Sequence, residues 1–460
     1  MDSNLLYNLF NKVNRYTKIS TDEECLLEKR EVENQVTSIN AFWNICNSIQ
    51  GVAILAMPYV IKGGGWWSIV SMVVIASISN YTGQILLDCH YETLKNQESG
   101  EVIRKRTRIS YADIGFKVWP WCGKDLILIV QILELLFMAT LYPIVATSVF
   151  KTLCPFKISS AIWVLIFGIV ILPNIFIRRV SHISFMSTVT VVSASFVFFI
   201  VNLYCFTEYK QWDITQLEHF SLSEFVSSCG VIIASYSSQM YLSVIEENMA
   251  KPQCIKSVMN AGYAAMTLLK IGIGVIAYIT FGKETSQVVT LNLPSGVLLT
   301  AVNIVVVLLS LSSYTLPMFT VFEIIEKDSF WIISGDQSND CNNEGYAKIP
   351  IEKNLKKVNM RRIIIRISLV SITLVMALSV PHFCLVLAFI GSFTGSFLEM
   401  IFPCFFQLKL KYDEISNLEK LLDGIIIIFS FLFMGMGTYF SAIALEKAFR
   451  LHTTEIWSID

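Results

Sequence analysis

Eleven long apolar blocks constrain this chain more than any other feature. They lie at about 41–61, 66–88, 125–150, 160–178, 185–206, 226–245, 259–281, 297–322, 362–380, 382–407 and 422–446. Crossing a bilayer takes about 20 apolar residues of helix. A helix satisfies its own backbone groups in lipid, whereas barrel strands run to about 10 residues and alternate in polarity. Blocks this long and continuous predict an all-α membrane protein of about eleven transmembrane helices. The shortest separation, Ser379-Val380-Pro381-His382, divides the ninth from the tenth. Hydrophobic residues make up 54% of the 460 and charged ones 15%, with mean hydropathy +0.58. Soluble domains carry about 45–50% and about 25%. A soluble enzyme, a disordered chain and a small disulfide scaffold are excluded. The net charge of -1 excludes a generally basic nucleic-acid binder. The 11 cysteines stand singly, with no Cys-x-x-Cys and no Cys/His cluster, so neither a metal site nor a cofactor is expected.

Lysine and arginine give an orientation. With the N-terminus on the cytosolic side, 26 fall in cytosolic segments and 7 on the opposite side. The expected organisation is a polar cytosolic tail at 1–37, a transporter domain at 38–446 with cytosolic loops at 89–124 and 327–361, and a luminal tail at 447–460. The first tail lacks the h-region and cleavage site of a signal peptide and is expected to be retained. Within it Asp22-Glu23-Glu24-Cys25-Leu26-Leu27 has the form of an acidic dileucine signal, so Asp22, Leu26 and Leu27 are candidates for a sorting adaptor. The 327–361 stretch, with Gly335-Asp336-Gln337-Ser338-Asn339-Asp340, reads as a flexible linker.

Two blocks are interrupted. The first reads Asn47-Ser48-Ile49-Gln50-Gly51-Val52-Ala53-Ile54-Leu55-Ala56-Met57-Pro58-Tyr59, with Gly51 and Pro58 inside an apolar helix. The sixth contains Ser235-Tyr236-Ser237-Ser238-Gln239. Either alone reads as a kinked helix or as back-bonded serines. Together, five spans apart, they point to the discontinuous helices at which secondary transporters bind substrate. The freed N–H groups suit a carboxylate and the freed C=O groups a cation.

Ionisable groups inside the blocks come next, because each is costly in lipid unless solvated or paired. Glu134 in the third block is the candidate proton carrier. Lys270 in the seventh reads as a structural ion pair or a snorkelling side chain, and Glu399 in the tenth as structural. His382 stands at a helix mouth. Asn80-Tyr81-Thr82 matches a glycosylation acceptor but lies inside the second block.

In order along the chain, several stretches resemble the amino acid/auxin permease family, and moderately its vesicular branch. They are Asn47 to Gly51 with Pro58-Tyr59 and Gly63-Gly64; Tyr81-Thr82-Gly83; Gln131-Ile132-Leu133-Glu134-Leu135; Ser235 to Gln239 with Glu246 and Asn248-Met249; Ala301-Val302-Asn303-Ile304 and Leu316-Pro317; and Val380-Pro381-His382-Phe383 with Gly391-Ser392 and Thr394-Gly395. The resemblance covers about residues 38–446. Ala56, Ser243, Glu247 and Thr315 depart from the vesicular pattern, which has glycine or proline there.

The resemblance implies a LeuT-like fold, a 5+5 inverted repeat plus one helix, with helices 1 and 6 broken. It implies loading of a small neutral amino acid, GABA or glycine, into an acidic cytoplasmic or synaptic vesicle by the proton electrochemical gradient. By position, Asn47, Gln50, Gly51 and Val52 would hold the substrate, Tyr236, Ser237 and Gln239 the opposite wall, and Glu134 the proton. Two other readings stay open. One is a proton- or sodium-coupled symporter of the lysosome or plasma membrane, with Ser312 and Ser313 as hydroxyl ligands for sodium. The other is an amino acid sensor without flux.

Overall fold

The computed structural model describes residues 36–95, 102–154, 158–177, 180–218, 220–327, 352–379 and 382–457. The dileucine residues Asp22, Leu26 and Leu27 lie outside them, as do Val380 and Pro381 between the ninth and tenth blocks.

The first block is not one helix. α1 (Ser38–Gln50) starts at Thr37, whose hydroxyl accepts from the Asn40 amide at 3.3 Å, and it ends where Gly51 takes φ 39°. A 3-10 turn follows over Gly51–Ala56, then α2 (Met57–Gly64), with Pro58 in the first turn, where a missing N–H is harmless. α3 (Trp66–Asp88) leads into an antiparallel pair, β1 (Tyr91–Lys95) and β2 (Val102–Arg106), in which Tyr91 lies opposite Arg106. The short helix α4 (Tyr111–Val118) begins with a capping box between Ser110 and Asp113. The stretch expected as a charged loop at 89–124 is therefore folded through most of its length.

α5 (Gly123–Leu153) carries Glu134 and an internal Pro143. α6 (Ser160–Ile171) continues as a 3-10 turn to Phe176, and α7 (Val180–Thr207) follows. The sixth block is split into α8 (Leu222–Ser235) and α9 (Gln239–Glu247). α10 (Ile255–Phe281) is continuous, and α11 (Val297–Ser313) and α12 (Thr315–Lys327) are parted only by Tyr314. α13 (Glu352–Ser379) follows. The tenth block is α14 (Phe383–Ile390), a π-helical stretch over Gly391–Ile401 and α15 (Phe402–Leu410), and the last helix is α16 (Asn417–Trp457).

Among the described residues, nine helices are long and apolar enough to cross a membrane. That criterion passes over α6 and the split pair α8–α9, which occupy the other two of the eleven blocks. Two boundaries differ from expectation. Residues 328–351 lie outside the description, but the expected linker is already helical at Glu352, and the expected tail from 447 is helical to Trp457. Extending a formed helix fixes few further torsions per hydrogen bond gained, so helices outrun the apolar residues that nucleate them.

α1 packs against α7 and α10, while α8 packs against α14 and the π-helical stretch. The second contact is backbone-close. A Cβ on Gly230 would stand 2.5 Å from the Ala388 carbonyl oxygen, and one on Gly391 would stand 2.7 Å from the Ala234 nitrogen. Only glycine fits either position without moving a main chain.

The end of the bundle that holds the hairpin is tied to α9. Arg106 pairs with Glu246 at 3.5 Å and donates to the Ser243 carbonyl at 3.2 Å, and the Tyr91 hydroxyl donates to Glu246 at 3.0 Å. Val36, just before α1, donates to the Asn248 carbonyl at 2.7 Å and accepts from the Ala250 amide at 3.0 Å. His90 lies 3.0 Å from the Leu86 carbonyl through Nδ1 and 2.8 Å from Ser243 Oγ through Nε2. A carbonyl only accepts, so Nδ1 carries the proton and the Ser243 hydroxyl donates to Nε2. Burial, and then the Arg106 charge, lower the imidazole to about 4.

Two outcomes follow. Gly391→Val should lose about 1–3 kcal/mol through overpacking, read as a lower unfolding midpoint in detergent. His90 is neutral when folded and protonates at a higher pH when unfolded. Its contribution is therefore complete above about pH 6.5 and is lost as pH falls to about 4, roughly 3 kcal/mol in all. His90→Gln should flatten the acid limb of stability over that window; an unaltered limb in acid titration of the variant would refute the assignment.

Candidate functional site

The two helix breaks meet inside the bundle. At Gly51 the backbone enters the positive-φ region, with ψ -139°, while its N–H still bonds to the Asn47 carbonyl. A side chain is opposed there twice, by φ and by Tyr142, whose Oη would lie 3.1 Å from the Cβ. Asn47, Gln50, Gly51 and Val52 line a cavity of about 20 Å³ together with Tyr142, Ser235, Tyr241, Leu316 and Leu387. That is room for about one water molecule. The walls must part before any larger solute enters.

Gln50 differs from its neighbours. It is 1% exposed, and neither Nε2 nor Oε1 has a hydrogen-bond partner among the described residues. Leaving such an amide unmet costs about 1–3 kcal/mol, so it stands ready to serve a polar solute as both donor and acceptor. Asn47 is committed instead, its Nδ2 donating to Ser187 Oγ on α7 at 3.1 Å.

The expected opposite wall is only partly there. Ser235 lines the cavity, but Tyr236, Ser237 and Gln239 do not. The Tyr236 ring lies beneath Lys270, whose Nζ is 3.6 Å from its centroid, and the Tyr236 hydroxyl donates to Thr267 at 3.0 Å. Ser237 donates to the Glu134 carboxylate on α5. Gln239 Nε2 donates to the Ser79 carbonyl and to Thr82 Oγ1 on α3, each at 3.0 Å. These three residues form a polar layer beside the cavity because the unwound stretch 236–238 turns its side chains toward α3, α5 and α10. Glu134 lies one helical turn from Met138, which does line the cavity.

Glu134 and Glu399 are both fully buried. Ser79 donates to Glu399 at 3.3 Å, while Glu134 Oε2 and Glu399 Oε1 have no hydrogen-bond partner among the described residues. Glu399, read from the sequence as structural, sits on the π-helical stretch and faces this layer. Such wide turns recur at functional sites. Lys270 does not snorkel, and it forms no ion pair among the described residues. It is fully buried and donates to the carbonyls of Ile49 at 2.9 Å and Ser235 at 2.5 Å. Ser312 and Ser313 are packing hydroxyls, bonded to Thr190 at 2.8 and 3.3 Å. Tyr142 had no marker in the sequence beyond the proline that follows it, and Ser79 had none at all.

The family profile described as transmembrane amino acid transporter protein matches residues 34–443. This chain belongs to that family. Among the relatives of this amino acid transporter, a vesicular inhibitory amino acid transporter of Xenopus laevis is 32% identical over 403 residues, covering 86% of this chain and 75% of its own. A vesicular GABA transporter of Caenorhabditis elegans is 28% identical over 422 residues, covering 91% and 82%. A solved Na+-coupled sialic acid symporter in a substrate-bound outward-open state superposes with a TM-score of 0.51 at 10% identity, covering 89% of this chain and 90% of its own. At that identity the likeness shows the fold, which is LeuT-like. The protein is a multi-pass membrane transporter of amino acids and not an enzyme.

Gly51→Leu should leave the transporter folded but weaken binding of its amino acid at least about tenfold, a loss of about 1.4 kcal/mol. Equilibrium binding to the purified protein checks this, and unchanged affinity would place the site away from the break.

Proposed function

We propose that this transporter loads a small neutral amino acid of the GABA or glycine kind into an acidic vesicle, in exchange for protons. One observation carries the reading. The unpartnered amide of Gln50 lies at one break, and a residue of the other break, Ser237, is bonded to the buried carboxylate of Glu134. A solute pocket and a proton acceptor thus share the same pair of breaks.

The chemistry of the pocket fits such a substrate. No charged side chain lines the cavity, so a net-neutral solute is favoured. The 3-10 turn that begins at Gly51 leaves the amides after Gly51 to meet a carboxylate, and Gln50 supplies a further donor and acceptor. Tyr142, Tyr241 and Leu316 leave little space, which favours a short substrate. A hydrogen bond to an ionised carboxylate is roughly twice as strong as one to a neutral group. Protonation of Glu134 would therefore loosen Ser237 and with it the second break, linking proton binding to movement.

The excess of lysine and arginine supports a cytosolic N-terminus and strand pair and a luminal C-terminus. The luminal side then holds a vestibule of about 560 Å³ lined by Tyr59, Lys62, Glu224, Val231, Ala388 and Lys447. The names of the relatives support both the vesicular location and the substrate class.

The experiment is uptake into proteoliposomes with an acidic, inside-positive interior, offering labelled GABA, glycine, β-alanine and a panel of neutral amino acids. Accumulation of GABA or glycine that a protonophore collapses is expected. Glu134→Gln should cut gradient-driven uptake at least about tenfold while folding normally, a change of about 1.4 kcal/mol in the coupled step. Full pH-driven uptake by that variant would refute the coupling role. Accumulation only under the reversed gradient would mean a symporter, and binding without flux a sensor.

A further inference from the structure

We propose that the Lys270 ammonium is a built-in cation, holding the two helix breaks together where a transporter of this shape would otherwise bind a metal ion. Interrupting a helix leaves the carbonyls of its last turn without amide partners, and these carry the negative end of the helix dipole. α1 ends at Gln50 and α8 at Ser235, so two such ends face each other within the bundle. Carbonyls at broken helices are natural ligands for sodium. Here Lys270, on the unbroken helix α10, reaches both. Its Nζ donates to the Ile49 carbonyl at 2.9 Å, the Ser235 carbonyl at 2.5 Å and Ser235 Oγ at 2.9 Å.

The hydrogen-bond geometry suits an ammonium. Carbonyl oxygens only accept. The Ser235 hydroxyl spends its own proton on the Ile232 carbonyl at 2.7 Å, so toward Lys270 its oxygen also only accepts. Three acceptors match the three N–H donors of an ammonium, whereas a neutral amine has two. The Tyr236 ring, 3.6 Å from Nζ, presents a face that attracts a cation. Among the described residues no carboxylate lies within ion-pair distance of Lys270; carbonyl dipoles and a ring meet it at close range, as they would a metal ion, and the buried carboxyl of Glu399 acts on it from farther off. A metal ion can leave during transport, whereas a side chain cannot. On this reading the junction keeps its cation through the cycle, and transport needs no sodium at this point.

The test is thermal unfolding of the purified full chain in detergent, in sodium chloride and in choline chloride at matched ionic strength. It needs no knowledge of the substrate or of the driving ion, so its result stands apart from that of the uptake experiment. The wild-type midpoint should be the same in both salts. Lys270→Ala should unfold lower in choline, and sodium should raise its midpoint saturably by about 2 °C or more as it enters the vacated oxygen cage. A wild-type midpoint that rises with sodium overturns the proposal. So does a Lys270→Ala protein no more responsive to sodium than wild type, which would make the lysine a packing group. If Lys270→Ala does not fold, Lys270→Ser, which adds a hydroxyl ligand, is judged by the same two outcomes.

Discussion

In lipid, a backbone carbonyl that leaves its helix must be met by the protein itself, because no water is there to meet it. The two half-helices that end at Gln50 and Ser235 create that demand side by side, and Lys270 meets it from a third helix. Much of the remaining site follows from this junction. Gly51, with no Cβ, takes the positive φ that ends the first half-helix just beyond the Ile49 carbonyl held by Lys270. Tyr236 is drawn beneath the ammonium and so leaves the cavity wall. The residues after it are thrown outward to Glu134 and to Ser79 and Thr82.

The architecture was largely legible in the sequence, because the demands of a bilayer are written in composition. Block lengths located the helices, and Gly51 with Pro58 marked the first interruption. The second interruption was visible as a run of small polar residues, but side-chain direction was not. Whether Tyr236, Ser237 and Gln239 face the cavity or the layer beside it depends on a few torsions in three unwound residues, and no spacing rule encodes those. Lys270 was conspicuous as a lone charge, yet its partners are carbonyls, and every residue has one. Glu399 depended on a wide helical turn that its sequence, Gly391 to Ile401, does not announce. The strand pair of Tyr91–Lys95 and Val102–Arg106 was hidden by its own charge, which on paper resembles a solvated loop.

Family membership and site geometry answer different questions. The match over residues 34–443 fixes the class of cargo. The structure adds how polarity is arranged around a cavity with no charged wall: two carboxyls on one side, one ammonium behind both breaks, and an unmet amide between them. The lining of the cavity is thus neutral, with the ionisable groups kept one layer back.

The backbone pairing of Val36 with Asn248 and Ala250 joins the entrance of α1 to the exit of α9. These are the two half-helices on the hairpin face, and this short ribbon makes them one lever. A displacement of either half-helix pulls on this ribbon, so the ribbon ties the position of one to that of the other.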